Sequence, residues 1–339
     1  MSINRSKSFP RKLINIAKAI RFSQVGGPEV LKYEDVEVGA PGPGQARVKN
    51  LACGLNFIDT YHRSGLYPLP LPSGIGLEAS GVVEAVAADV DYLKVGDRVA
   101  YAGGPVGAYS EVRIIPADRL VKVPAGITDQ QAAGMMLKGL TTQYLLRRTY
   151  DVKPGDTILA HAAAGGVGLI LCQWAKALGA TVIGTVGSDE KAALAKANGC
   201  DHPIVYTRED FVARVKEITG GKGVPVVYDS VGKDTFMKSL DCLSPMGLMV
   251  IFGNSSGNAP DLPTGTLAAK GSLYVTRPTL MTYMAKRDDL VKSADDLFGM
   301  VGSGKVKIDV RQTYALKDAT KAHQDLEARK TTGSTILLP

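Results

Sequence analysis

The sequence predicts an α/β fold in two parts, a β-rich barrel and a doubly wound parallel sheet, with the end of the chain returning to the barrel. Three observations carry this. A glycine-rich run, His161-Ala162-Ala163-Ala164-Gly165-Gly166-Val167-Gly168, lies between a short apolar strand at 157–160 and a helical stretch reaching about residue 178. From residue 156 onward β-branched runs and helical stretches alternate, the pattern of a parallel sheet covered on both faces. Between residues 18 and 140, short β-branched runs are punctuated by Gly and Pro, as in a partly open barrel.

Residues 1–18 read as a flexible basic leader, because Arg, Lys and Ser occur there without acids. The same composition suits an organelle transit peptide. Strand patterning is expected from Ala19-Ile20-Arg21-Phe22 onward, then at 46–49, 81–86, 98–101 and 111–114. Residues 129–146 are helical in pattern. Strands at 181–186, 226–228 and 248–252 then alternate with helices at 209–219 and 234–242. After a run at 272–276, the helix at 290–301 places Leu290, Ala294, Leu297, Phe298 and Val301 on one face, which marks core. The apolar run Thr335-Ile336-Leu337-Leu338 is the returning strand.

A glycine-rich turn between a strand and a helix, with a second strand following at 181–186, is the setting in which a dinucleotide pyrophosphate meets unpaired N–H groups at a helix N-terminus. The expected contacts there are Gly165, Gly166 and Val167. An NAD-selective unit ends its second strand with an acid that accepts from the ribose 2′-OH. Here the strand ends Thr185-Val186-Gly187-Ser188, so NADPH is expected, with Gly187 and Ser188 beside the ribose. Asp189 and Glu190 follow in the first helical turn, where acids serve as dipole partners. Ser230 with Val231, and Phe252 with Asn254 and Ser255, fall in loops after later strands, on the edge where open α/β sheets bind ligands.

The run Gly155-Asp156 … Leu159 … Ala163-Ala164-Gly165-Gly166-Val167-Gly168 … Gln173 … Lys176 resembles the quinone oxidoreductase and zeta-crystallin signature of the medium-chain dehydrogenase/reductase superfamily. The likeness runs from about residue 19 to 339 and includes Asn56-Phe57-Ile58-Asp59, Arg63-Ser64-Gly65-Leu66-Tyr67-Pro68 and Phe252-Gly253-Asn254-Ser255-Ser256-Gly257. It implies a GroES-like barrel domain formed by 19–140 and 280–339, and a Rossmann domain at 141–279 that binds NADPH. It also implies a homodimer joined through the strand at 272–276. By the same resemblance Lys191, Tyr206 and Arg329 meet the 2′-phosphate. The nicotinamide lies between 56–61, with Phe57 and Ile58, and the helix near Lys138 and Thr142. Asn56, Asp59, Tyr61 and Tyr67 face a quinone.

Zinc-dependent relatives place Cys and His where this chain has Asn56 and Leu77, and a zinc site needs about three good protein donors, so no metal is expected. Without a Lewis acid a simple alcohol oxidation is disfavoured. A quinone is already a good acceptor, and the protein then supplies orientation and a dry slot. The nearest alternative is an enone or 2-alkenal reductase on the same scaffold. Whether electrons pass singly or as hydride is open at this stage.

The formal charge is +7, but six positive charges precede the first acid, Glu29, leaving +1 for the rest. This argues against nucleic acid as the primary partner, although such binding, or a crystallin-like use, is a second role consistent with the resemblance. No apolar run reaches the roughly 20 residues that span a bilayer. Cys53, Cys172, Cys200 and Cys242 show no paired spacing, so a reducing, cytoplasmic setting is expected.

Overall fold

A computed structural model describes residues 15–339. The first strand, β1 (Asn15–Phe22), pairs antiparallel with β2 (Lys32–Val38), from Asn15 opposite Val38 to Arg21 opposite Lys32. Residues 15–18, inside the expected leader, are therefore strand. Residues 15–18 alternate an exposed Ile16 with a buried Ala17, and Lys18 pairs with Asp35 across the two strands. The partner that makes this a strand lies twenty residues downstream, which local composition does not reveal. The remainder of the expected leader, residues 1–14, lies outside the described residues.

The barrel is built around β3 (Gln45–Leu55), followed by α1 (Phe57–Ser64), β4 (Ser73–Gly74), β5 (Glu78–Val86), β6 (Arg98–Ala102), β7 (Val112–Pro116) and β8 (Val121–Lys122). β3 pairs with both β5 and β7. α2 (Asp129–Tyr144) opens on Thr128, whose hydroxyl accepts from the Gln131 N–H, and carries the chain towards the second part.

There the order is β9 (Thr157–Ala160), α3 (Gly166–Ala177), β10 (Thr181–Val186), α4 (Asp189–Ala197), β11 (His202–Val205), α5 (Phe211–Ile218), β12 (Val224–Asp229), α6 (Phe236–Leu240), β13 (Leu243–Ile251), α7 (Thr264–Ala269) and β14 (Tyr274–Thr276). The six strands form one parallel sheet in the order β11-β10-β9-β12-β13-β14. Strand order reverses at β9, so a crevice opens beyond the carboxyl ends of β9 and β12. β11, with Pro203 as its second residue, escaped the sequence reading. It is an edge strand, where a missing N–H is tolerated.

α8 (Leu280–Tyr283) and α9 (Arg287–Gly302) come next. α9 buries Leu290, Ala294, Leu297 and Phe298 on the predicted face, and each large side chain there contributes roughly 1.5–3 kcal/mol. A Cβ on Gly139 would stand 2.5 Å from a Leu297 methyl, so α2 and α9 pack closely here and a larger residue would have to push the Leu297 side chain aside. β15 (Val310–Ala315), α10 (Ala319–Glu327) and β16 (Ser334–Leu338) close the chain, and β16 pairs with β3, Ile336 opposite Gly54. The C-terminal strand thus returns to the barrel, as its apolar run predicts. No helix among the described residues is long and apolar enough to cross a membrane.

Candidate active site

The crevice is a cleft of about 580 Å³, walled by α1 and α2 on the barrel side and by the loops after β9, β10, β12 and β13 on the sheet side. Its floor is the glycine turn. The bend is made by Ala162, at φ 55°, and by the Gly165 N–H donating to the Ala162 carbonyl at 2.9 Å. None of Gly165, Gly166 and Gly168 takes positive φ, so in this turn the glycines serve close approach rather than the bend. A Cβ on Gly168 would lie 2.3 Å from the Ala162 oxygen and 2.7 Å from Ala163 backbone atoms. A Cβ on Gly166 would press on the Lys138 stem at 2.8 Å. The amides of Gly166, Val167 and Gly168 are the first three of α3, have no intrahelical acceptor, and lie on the cleft wall. That is a fitting cradle for a pyrophosphate. His161 lies below it with its ring between the hydroxyls of Thr185 and Ser239, each at 2.8 Å, and burial holds its pKa below the ordinary imidazole value.

At one end of the cleft, Gly187, Lys191, Tyr206 and Arg329 come together. Lys191 Nζ donates to the Arg329 carbonyl at 2.8 Å, and Arg329 donates to the Tyr206 hydroxyl at 3.4 Å. Asp189, the nearest acid after β10, is paired with Arg208, which holds its carboxyl below the usual range. Two cations and a phenol, with Asp189 drawn off by Arg208 and the lining Glu209 paired with Arg214, suit a phosphate monoester. Ser188, expected beside the ribose, stands off the cleft wall and caps α4, its hydroxyl accepting from the Lys191 N–H at 3.3 Å.

On the barrel side Phe57, Ile58, Asn56 and Lys138 line the cleft as expected. Thr142 does not. It is fully buried, its hydroxyl donates to the Lys138 carbonyl, and Thr141, about 100° round the helix, takes the wall instead. Asp59 is likewise withdrawn. Fully buried, it accepts from the Asn56 N–H at 2.9 Å and the Tyr109 hydroxyl at 2.7 Å, so it caps α1. Burial raises its pKa to about 7.

Glu78, with no exposed surface, accepts from Lys138 Nζ at 2.9 Å, Asn56 Nδ2 at 2.7 Å and the Leu137 N–H at 2.8 Å. With Leu77 and an already engaged amide at the positions where zinc relatives carry ligands, this donor set does not fit a catalytic zinc. Among the described residues, no cluster of three His, Cys, Asp or Glu stands together.

Tyr61 and Tyr67 line the same cleft with ring centroids 5.2 Å apart. The Tyr61 oxygen accepts from the Asn254 N–H at 2.9 Å. The Tyr67 oxygen accepts from Asn254 Nδ2 at 3.0 Å and from the Arg277 guanidinium at 2.8 Å. Asn254, expected to touch the cofactor, is thus turned onto the two tyrosines and off the wall that Phe252 and Ser255 line. Its main chain and amide serve both phenols. With their oxygens engaged as acceptors, the phenols keep their own O–H for a cleft occupant. Burial pushes Tyr61 up to about 12, so it is a hydrogen-bond donor and a poor acid. Ser230 and Val231 line the wall beyond β12. Arg277, Thr141 and Tyr144 were not expected here. Thr141 ends the run Leu137-Lys138-Gly139-Leu140-Thr141, which shares the family resemblance, whereas Arg277 and Tyr144 show no motif and are marked only by their positions at the ends of β14 and α2.

A barrel and a doubly wound sheet sharing one glycine-floored cleft define a protein of the medium-chain dehydrogenase/reductase class. The profile of the alcohol dehydrogenase GroES-like domain matches residues 42–125, and that of the zinc-binding dehydrogenase matches 166–294. The chain belongs to the quinone oxidoreductase family. It is 58% identical to a quinone oxidoreductase of Pseudomonas aeruginosa over 325 residues, covering 96% of this chain and all of that one. A 2-haloacrylate reductase of a Burkholderia species is 50% identical over 322 residues, covering 93% and 96%. The crystal structure of Escherichia coli quinone oxidoreductase complexed with NADPH superposes with a TM-score of 0.94, at 54% identity, covering 95% of this chain and 100% of that one.

Proposed function

We propose that this chain reduces quinones with NADPH in the cleft between barrel and sheet, without a metal. The observation that carries the reading is one continuous cleft with a phosphate cradle at its floor, Lys191, Tyr206 and Arg329 at one end and the paired phenols of Tyr61 and Tyr67 on its wall. Gly165, Gly166 and Val167 hold the pyrophosphate, Gly187 admits the ribose, and Ser230, Val231, Phe252 and Ser255 flank the nicotinamide side. Phe57, Ile58 and Lys138 close over it and exclude water. The reduced nicotinamide, when bound, supplies the reducing equivalents. Tyr61 and Tyr67 donate to the acceptor oxygen, with Asn56 nearby, and each turnover takes one proton from solvent as quinone becomes hydroquinone and NADPH becomes NADP+.

The domain limits carried with this reading are 19–140 with 280–339, and 141–279. The reading includes a cytoplasmic enzyme whose partner is a small molecule rather than nucleic acid. It also includes a homodimer meeting at β14, which lies at the sheet edge with Tyr274 62% exposed. The 2-haloacrylate reductase relative favours a second reading, reduction of a conjugated carbonyl by the same machinery. NADPH oxidation measured with 1,4-benzoquinone, 9,10-phenanthrenequinone and a panel of 2-alkenals separates the two. Quinones are expected to show at least about tenfold higher kcat/KM, roughly 1.4 kcal/mol of transition-state preference. Equal or better turnover of alkenals moves the assignment to the second reading.

The cradle has its own test. In Gly168→Ala the new methyl meets fixed backbone, so the turn must open, and NADPH affinity is expected to fall at least about tenfold in a fluorescence titration. Affinity within twofold of wild type would mean that the turn tolerates the methyl and that the close approach does not govern binding.

A further inference from the structure

Arg277 follows β14 and lines the cleft beside Tyr67. Its guanidinium donates to the Tyr67 hydroxyl at 2.8 Å, to the Ile251 carbonyl at 3.2 Å and to the Pro278 carbonyl at 3.4 Å. These three bonds hold the side chain in place with neutral acceptors only. No carboxylate among the described residues lies within 4.0 Å of it. Of the other lining cations, Lys138 is paired with Glu78, Lys191 and Arg329 gather with Tyr206 at the opposite end, and Lys238 stands on α6 on the sheet side. Of the lining acids, Asp210 caps α5, Glu209 pairs with Arg214, and the exposed Asp234, just before α6, lies more than 4.0 Å from the Arg277 guanidinium. Around Tyr61, Tyr67 and Arg277 the wall is otherwise Phe57, Ile58, Tyr144 and Leu280. A guanidinium that is exposed on one side, bonded to neutral acceptors only and left with N–H groups to spare therefore faces a largely apolar slot, beside two phenols that donate to an acceptor oxygen.

We propose that Arg277 makes the cleft selective for acceptors that carry an anionic substituent, a carboxylate or sulfonate next to the reducible ring or double bond. Arg277 grips the anionic group while Tyr67 and Tyr61 donate to the oxygen being reduced. Arg277 is then a specificity-determining residue, and the assignment rests on the NADPH-dependent reduction proposed above. The electron balance is that of the parent reaction, since the anionic group is bound and not transformed.

The test compares 1,2-naphthoquinone-4-sulfonate with 1,2-naphthoquinone in the wild type, Arg277→Met and Arg277→Lys, read as the ratio of kcat/KM for the two quinones. Intrinsic differences in reactivity cancel when that ratio is compared between proteins. The ratio is expected to fall at least about tenfold in Arg277→Met, chiefly through KM for the sulfonate, and to be largely retained in Arg277→Lys. Raising ionic strength from about 0.01 to 0.5 M should lower the ratio in the wild type by screening, a readout that needs no variant to fold. A ratio unmoved by both Arg277→Met and salt overturns the inference and leaves quinone reduction standing. Failure of the wild type to oxidise NADPH with either quinone overturns the parent reading, and the inference falls with it.

Discussion

Glu78→Leu is expected to destabilise the protein by about 3–5 kcal/mol, because it strips the partner from a buried cation. Glu78 has no exposed surface and Lys138 is almost as deeply buried, so neither charge has water to fall back on. One carboxylate oxygen takes both Lys138 Nζ and Asn56 Nδ2, and the other takes the Leu137 N–H, which ties β5, α1 and α2 at one point. In a chain of this length the loss corresponds to a drop in Tm on the order of 10 °C. Glu78→Leu combined with Lys138→Met removes both charges, and should recover most of that loss in thermal unfolding. NADPH binding should recover less, since Lys138 lines the cleft. A single variant melting within a degree of wild type would show that Lys138 reaches water when unpaired. Zinc-dependent relatives have a histidine before this glutamate; here the residue is Leu77, and the cation facing Glu78 is an ammonium.

The parts of the fold legible in the sequence were those with a local signature. The turn at 161–168 announces itself through three glycines flanked by a strand and a helix, and α9 through the spacing of Leu290, Ala294, Leu297 and Phe298. The start of β1 was hidden because Asn15 to Lys18 become a strand only by pairing with residues 35–38. At the site, most of the expected residues that stand off the wall are those whose side chains serve their own backbone. Asp59 and Ser188 sit in motif positions next to true wall residues, yet both cap helices, and Thr142 differs from the lining Thr141 by one step of the helix. Sequence spacing brings such residues near a cleft without saying which way they turn. Arg277 and Asn254 follow different strands of the sheet, and their meeting at Tyr67 exists only in three dimensions.

Loss of NADPH preference is the second large expected effect, and it tests the cluster at the other end of the cleft. Lys191→Ala and Arg329→Ala are each expected to lower kcat/KM for NADPH about tenfold while changing the value for NADH little. A cation bound to a phosphate is worth at least roughly 1.5 kcal/mol, discounted here for partial exposure. The two are coupled, because the Lys191 ammonium rests on the Arg329 carbonyl at 2.8 Å. Arg329 also holds φ 58°, a left-handed conformation that alanine inherits and glycine relieves. Arg329→Gly should therefore match Arg329→Ala in cofactor preference but melt higher, which separates the charge from the backbone strain. The double Lys191→Ala, Arg329→Ala variant should approach a hundredfold loss, short of full additivity. Equal losses for NADPH and NADH would indicate that these side chains shape the loop rather than bind the 2′-phosphate. In that case Asp189, released from Arg208, would be the next group to test at the ribose.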